Sequence, residues 1–348
     1  MKTVSVVVIN FNGLADLPAC FDSLASQEYE AIELVIIDNG SQDGSLEWLR
    51  QWVSGQASVG RFIPSAVLVE NGRNTGFSPA LNQGIAASGG EYVMPLNTDV
   101  VLQSTFVSRM VEAVEPDGVG SASGKLLRFP PHGAENVIDT AGHVMFRNRL
   151  ALNLGEGKKA SANFLEAAEV WGTCGAAAMY KREMLRDVAV DGECFDEDFF
   201  AFWEDLDLDW RARMRGWRCM FDPAAVAWHR RGGTGYRKSV LVETHNYKNR
   251  YLMMIKNDSG RNVLRNLPGI IATELLKGGA LLIRCPRALL GLLDVVRLIP
   301  AMVAKRRVIQ SRRLVPAREI ESQFEPFDYA GWIRRHLLNR GEMIVEEG

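Results

Sequence analysis

The sequence predicts an α/β fold with a doubly wound, mostly parallel sheet, followed by a C-terminal amphipathic helical extension. Three observations carry that expectation. Residues 4–9 are an almost unbroken β-branched run, the pattern of a parallel strand buried on both faces. Further apolar runs at 34–37, 66–69 and 92–96 alternate with stretches of helical spacing, as right-handed βαβ units require. Each run stops in a loop bearing Asn, Asp or Gly, and in such a sheet ligands bind at the carboxyl edge of the strands.

After the first strand, Asn10-Phe11-Asn12-Gly13 breaks the run, and Leu14, Leu17, Phe21 and Leu24 give helical spacing over 14–25. The second strand closes in Asp38-Asn39-Gly40-Ser41-Gln42-Asp43-Gly44, with Ser45 an N-cap for a helix over 45–53. The third passes through Asn71-Gly72-Arg73-Asn74-Thr75-Gly76-Phe77 into a helix over 78–87. The fourth ends in Asn97-Thr98-Asp99. A helix over 103–115 and shorter, irregular strands to about Gly175 form the wall expected to face a second substrate. These elements divide into a catalytic unit over 1–250, with a nucleotide-binding half (1–100) and an acceptor-side half (101–250). A basic helical segment (251–318) and a tail (319–348) follow.

Composition narrows the function. With 348 residues, 47% hydrophobic and 24% charged, the chain matches an ordinary globular protein with one large core and an appendage. The net charge of −2 argues against a general nucleic-acid binder. Residues 256–318 nevertheless hold thirteen Lys and Arg against three acids, a local charge of +10 that leaves −12 elsewhere. One end of the molecule is therefore suited to an anionic surface. The five cysteines are scattered without a C-x-x-C pair, which fits small core residues in a reducing compartment. Lys2 leads straight into a strand, with no pattern of a secretory leader. No G-x-G-x-x-G follows the first strand and no G-x-x-x-x-G-K-[ST] occurs, so the glycine cradles of dehydrogenases and P-loop NTPases are missing.

The chemistry gathers at three places. Asp99 sits where a strand ends at the ligand edge, and a hard cation there binds through a carboxylate and substrate phosphates. The tripeptide also reads as a plain turn. In residues 195–215, Trp203, Leu206, Trp210 and Met214 form one stripe of a helix, with Asp205, Asp209 and Arg213 beside it. Asp209 suits a helix pair with Arg213. Asp205 lies in the first turn, where the dipole favours an anion, and its neighbours Phe202, Trp203 and Leu206 suit a partly desolvated general base. His229 precedes Arg230-Arg231-Gly232-Gly233-Thr234-Gly235, an arrangement that suits a lid over phosphates. The W-G-T-C-G stretch from Trp171 fits either a close approach to a sugar, with Trp171 stacking, or a glycine turn around a core tryptophan.

Together these stretches resemble the family 2 glycosyltransferases of the GT-A fold, nearest the bacterial rhamnosyltransferase-like members. The likeness covers roughly two-thirds of the chain, through V-S-V-V-V-I-N-F-N, V-I-I-D-N-G-S-Q-D-G-S, N-T-G-F-S-P-A-L-N-Q-G, L-N-T-D-V, W-E-D-L-D-L-D-W-R and H-R-R-G-G-T in order. It implies an inverting, metal-dependent transfer from a nucleotide-diphospho-sugar, dTDP-rhamnose favoured and a UDP-hexose the alternative, to a glycan hydroxyl. Asp38 is implied at the nucleobase, with Asn10, Asn12, Asn74, Gly76, Asn82, Asn97 and Thr98 around the nucleotide sugar. Asp99 and His229 are implied at a divalent cation (Mg²⁺ or Mn²⁺), Arg230 and Arg231 at the diphosphate, and Asp205 as base. Trp171, Trp203 and Glu204 fall on the acceptor side. The metal motif often begins with Asp, and Asn97 departs from that. A sugar nucleotidyltransferase has no need of a base facing an acceptor, so Asp205 counts against it. Intact Asp99, Asp205 and His229 count against a silent nucleotide-sugar-binding scaffold.

In the basic segment Lys277, Arg284, Arg287, Asp294 and Arg297 interrupt every apolar run, and Pro286 and Pro300 are expected to break helices. Short amphipathic helices on an anionic membrane surface fit this pattern better than a spanning helix. A helical cap or a homodimer surface are the other readings. A lipid-linked glycan acceptor and a place on the cytoplasmic face of a bacterial plasma membrane follow from the membrane reading.

Overall fold

A computed structural model describes residues 1–59, 66–129, 136–161, 163–231 and 239–333. The first half comprises β1 (Val4–Asn10), α1 (Leu17–Ala25), β2 (Ile32–Asp38), α2 (Ser45–Val59), β3 (Ala66–Glu70), α3 (Phe77–Ala86) and β4 (Tyr92–Asn97). Val4, Val6 and Val8 pack with Leu34, Ile36, Met94 and Leu96 on one face of the sheet, while Val7 joins Val35, Ile37 and Val93 on the other. Burial of both faces explains why these strands show no polar alternation. α1 starts later than its apolar spacing suggests, with a proline in its first turn, where a missing N–H costs nothing.

The second half adds β5 (Val100–Leu102), α4 (Phe106–Val114), β6 (Val119–Arg128), β7 (Ile138–Thr140), β8 (His143–Met145), β9 (Ala151–Asn153), β10 (Ala168–Val170), β11 (Ala178–Lys181), α5 (Arg182–Val188), α6 (Glu204–Met214) and β12 (Arg218–His229). The main sheet runs β10-β12-β6-β11-β4-β1-β2-β3, with β5 on β12 and β7 on β6. β4, β1, β2 and β3 pair in parallel, as do β12 and β6, while β11 lies antiparallel between β4 and β6. In register, Asn10 faces Asp38 and Ile9 faces Asn97, so three strands end level on one edge.

α7 (Val240–Asn257), α8 (Gly260–Arg284), α9 (Gly291–Ser311), α10 (Ala317–Ser322) and α11 (Tyr329–Ile333) complete the described chain. The expected boundary near residue 250 falls inside α7. The helices are also longer than the short ones expected, and Pro300 lies within α9 rather than ending it. Packing is the reason: Val295, Met302 and Ile309 join Leu252, Met253, Trp203, Leu206, Trp210, Met214, Ile320 and Phe324 in one cluster, which outweighs a lost backbone bond. That side of the segment is a cap on the catalytic unit. The other side is bare. Leu264, Leu267, Ile271, Leu275 and Leu282 form an exposed stripe on α8, continued by Leu290, Leu293 and Val296. Among the described residues α8 alone is long and apolar enough to cross a membrane by length and composition, with a hydropathy of 1.2.

α6 is buried nearly all round, so its charges must be paired inside the protein. Asp207, with no exposed surface, accepts from Lys256 at 2.9 Å, Arg211 at 2.9 Å and Asn257 at 2.8 Å. Lys256 also meets Asp196, which a second lysine, Lys305, contacts at 2.6 Å. These charges bolt α7 and α9 to α6. Replacing Asp207 by Ala leaves two buried cations short of a partner and is expected to cost about 3–5 kcal/mol in urea unfolding, with loss of less than about 1 kcal/mol counting against the bolt.

Candidate active site

Strand pairing assembles the first cluster from distant sequence. β12 lies against β5 with His229 opposite Val100, and Arg230 N–H donates to the Asp99 carbonyl at 3.0 Å. β7 reaches the same place across β6, bringing Asp139 alongside. His229 Nδ1 is 2.9 Å from Asp139 Oδ2, and its Nε2 is 3.4 Å from Asp99 Oδ1. Burial opposes a charge on this imidazole, but bonding to Asp139 and Asp99 prevails and pushes it up to about 10.

These residues fit a divalent cation. Asp139 anchors one ring nitrogen, which aims the other, as outer carboxylates do for metal-binding histidines. Two neighbouring ligands at about 2.1 Å from one octahedral ion stand about 3 Å apart, close to the separation seen here. The carboxylate suits Mg²⁺ or Mn²⁺, while the imidazole tilts the pair toward a transition metal. Asp139 was not legible in the sequence. It follows no spaced motif, and only the β6–β7 pairing reveals it.

The arginines divide. Arg231 is bound to Asp139 at 2.5 Å and to Glu156 at 2.7 Å, so the diphosphate contact expected of it gives way to a buttress for Asp139. Arg230 pairs with Asp16 at 3.0 Å and keeps half its side chain exposed. The glycine run after them, expected as a lid, lies outside the described residues.

The nucleotide-side residues shape loops. Asn10 donates to Asp38, Ser41 and Ser45 at 2.8–2.9 Å. Asp38, wholly buried, also accepts from the N–H groups of Gly40 and Ser41. Asn12 has a positive φ of 53° and accepts from Gln42 N–H. Asn74 accepts from Asn39 and Gly76 N–H. Gly76, at φ 98°, has no room for a side chain because Phe200 stands 2.6 Å from where its Cβ would lie. Asn82 is a correction: its amide spans Phe195 and Glu197 and holds α3 to the loop before α6. Asn97 N–H donates to Ala176 O at 2.9 Å, and Thr98 is buried.

The second cluster surrounds α6. Asp205 Oδ2 accepts from Gly175 N–H at 3.0 Å and Oδ1 from Leu206 N–H at 2.8 Å. The loop just before it is strained, with positive φ at Phe200, Phe202 and Trp203, and the Asn249 amide ties it down by donating to the carbonyls of Phe199, Ala201 and Phe202. Asp209 does not use Arg213 as its partner. It accepts from Thr173 N–H at 3.1 Å and from His143 Nδ1 at 3.0 Å. Arg213 instead binds the Trp171 and Val170 carbonyls and Glu169. Helix spacing yields here to the buried loop carbonyls, which need donors.

The W-G-T-C-G stretch is thereby explained. A Cβ on Gly172 would lie 1.8 Å from Asp209 Oδ2, so the tight backbone approach is to carboxylates, not to a sugar. Trp171 packs against Trp210 and Phe324 inside the core, the second of the two readings of this stretch. Trp203 is also core, its Nε1 donating to Asn246 at 3.2 Å. Glu204 is buried, and burial followed by the Asp205 charge pushes its carboxyl up to about 8. The two clusters adjoin: Asp205 holds Gly175, and the next residue, Ala176, holds Asn97, two before Asp99.

A family model described as Glycosyl transferase family 2 matches residues 5–189. An N-acetylglucosaminyltransferase of Bradyrhizobium diazoefficiens is 29% identical over 65% of this chain and 44% of its own length. A poly-beta-1,6-N-acetyl-D-glucosamine synthase of Staphylococcus aureus is 24% identical over 65% of this chain and 52% of its own. The match thus spans about half the length of these curated relatives. Among solved structures, a mannosyltransferase from Pyrobaculum calidifontis in complex with GDP-Man and Mn²⁺ superposes with a TM-score of 0.54 at 18% identity, over 97% of this chain and 88% of that one. S. aureus TarS with UDP gives 0.54 at 13% identity, over 92% and 89%.

Replacing Asp139 by Asn removes the charge behind His229. It is expected to weaken Mn²⁺ binding by about 10–100-fold, read by calorimetric titration with MnCl₂ in the presence of UDP. Unchanged affinity places the cation elsewhere.

Proposed function

Given that this chain belongs to glycosyl transferase family 2 and has the GT-A fold, we propose that it is an inverting enzyme. It moves a sugar from a nucleotide-diphospho-sugar to a hydroxyl of a glycan acceptor in cell-surface polysaccharide synthesis. The observation that carries this reading is the adjacency of two unlike clusters on one sheet edge: Asp99 with His229, and Asp205 on Gly175. Asp205 takes the proton of the acceptor hydroxyl, whose oxygen attacks the anomeric carbon opposite the leaving group. A cation at Asp99 and His229 supplies charge compensation for the departing diphosphate. Arg230, half-exposed beside Asp16, adds positive charge near it. One displacement inverts the centre.

The resemblance favours dTDP-rhamnose, while two relatives are named for N-acetylglucosamine. Slow Mn²⁺-dependent hydrolysis of dTDP-rhamnose, UDP-N-acetylglucosamine and UDP-glucose selects among them. With the selected donor, Asp205→Asn is expected to retain donor binding and fold while turnover drops by roughly 10²–10⁴. Near-normal turnover removes Asp205 as base.

We further propose that the bare side of α8 and α9 rests on an anionic bilayer, beside a lipid-linked acceptor. Arg284, Arg287, Arg297 and Arg307 are exposed around the apolar stripe, each worth about 1 kcal/mol near anionic lipid. Spanning is disfavoured because the opposite side of α8 is pinned by polar contacts. Thr273 meets Asn148 at 2.9 Å, Glu274 meets Tyr247 at 3.2 Å, and Asn266 meets Glu321. The protein is expected to co-sediment with phosphatidylglycerol vesicles at low salt and less at high salt, and Leu264→Glu/Leu275→Glu is expected to abolish binding. Dimers that ignore vesicles assign this face to a second copy instead.

A further inference from the structure

We infer that His143 is a positioning residue for Asp205, a ring clamped between Asp209 and Asp205 that fixes the base in place and sets positive charge beside it. The inference rests on the reading of Asp205 as base. His143 Nδ1 lies 3.0 Å from Asp209 Oδ2 and its Nε2 lies 3.6 Å from Asp205 Oδ2. The ring is 5% exposed, and β8 holds it in place through His143 N–H donating to Gly172 O at 2.8 Å. Gly172 is the residue whose missing side chain admits the Asp209 carboxylate. The three parts therefore form one rigid assembly.

Charge gives the assembly its purpose. Glu204, Asp205 and Asp209 crowd the start of α6, while Asp207 is neutralised separately by Lys256 and Arg211. Tyr180 of β11 and Cys174 of the preceding loop also face the cluster, and neither supplies a positive charge at neutral pH. Arg213 feels Asp209 only weakly and is spent on carbonyls. Among the described residues His143 is thus the cation next to Asp205, and like charges otherwise resist joint ionisation. Burial alone pushes an imidazole down, yet Asp205 and Asp209 hold this one well above its ordinary value. Burial raises Asp209 to about 6, so the pair is charged on both sides at neutral pH.

His143, Cys174 and Asp205 also lie within 4.8 Å of one another, a grouping with metal-ligand chemistry. A metal ion held there would take the place of the ring's second proton, so a doubly protonated His143 in the spectra described below separates the clamp from a metal centre.

During transfer the acceptor proton moves to Asp205, the acceptor oxygen bonds to the anomeric carbon, and the nucleoside diphosphate leaves with the electron pair. As product departs, the proton passes from Asp205 to water, and the adjacent imidazolium favours the carboxylate's return to its ionised form.

The full-length protein supplies two readouts. In ¹⁵N-histidine spectra, assigned by the signal lost in His143→Gln, His143 is expected to stay doubly protonated well above the range where an ordinary histidine titrates. Asp209→Asn is expected to bring it down. A neutral His143 at neutral pH overturns the inference without any donor present. In Mn²⁺-dependent turnover of the nucleotide sugar selected above, His143→Gln is expected to lower kcat about tenfold near neutrality with donor KM unchanged. The acid limb of its pH–rate profile is expected to move up by about one unit, since lost positive charge makes the base harder to ionise, so activity recovers at higher pH. His143→Lys restores the neutral rate. An equal loss at every pH, with Lys no better than Gln, marks a structural residue and overturns the inference. If His143→Gln does not fold, the spectra of the native protein and Asp209→Asn decide. Turnover surviving in Asp205→Asn points instead to failure of the base reading, whatever His143 does.

Discussion

The structure depends on pairing the charges of a helix that has no wet side. α6 carries Glu204, Asp205, Asp207, Asp209, Arg211 and Arg213 through the interior, where an unpaired charge costs several kcal/mol. Apart from the Asp207–Arg211 pair within the helix, the partners come from different parts of the chain: Lys256 from α7, His143 from β8, and the Val170 and Trp171 carbonyls from the end of β10 and the residue after it. Pairing α6 therefore places the other elements. The C-terminal helices dock, the glycine loop closes on two carboxylates, and Asp205 is presented at the rim. Stability and the placing of the proposed base share the same contacts here.

Much of the fold was legible because it follows from local rules. Continuous β-branched runs, helical spacing and polar strand ends gave the parallel half, and its strands fall where the sequence places them. The antiparallel insertion of β11 was not legible, because Ala178–Lys181 is too short to show a period. β12 is one long strand with a register shift between Asp222 and Val226, a break that no local spacing announces. In the C-terminal segment, proline was given too much weight. Its local cost is fixed, whereas the apolar packing that offsets it is tertiary.

At the site, residues at strand ends and helix starts stood out as candidates, as with Asp99, Asp205 and His229. The residues behind them did not. Asp139 and His143 sit on three-residue strands, with no spacing to link them to histidine or carboxylate partners far along the chain. For Trp171 the sequence left a sugar platform and a core ring both open, and the structure packs it in the core, as it does Trp203 of the helix stripe; a large ring beside a buried helix is first of all packing.

The route by which β12 reaches the metal cluster bears on how the protein matures. Asp139 and His229 are separated by 90 positions, and Asp99 lies farther still from His229 along the chain. During synthesis the amino-terminal strands emerge first and can pair among themselves. Asp99 is then already in place, but its imidazole neighbour belongs to a strand not yet made. A cation held at Asp99 and His229, as proposed, would therefore not template the early sheet. It would only reward the finished one, because binding confined to the native state stabilises that state alone. On the proposed reading, competence to hold a donor would in this way wait on the last strand.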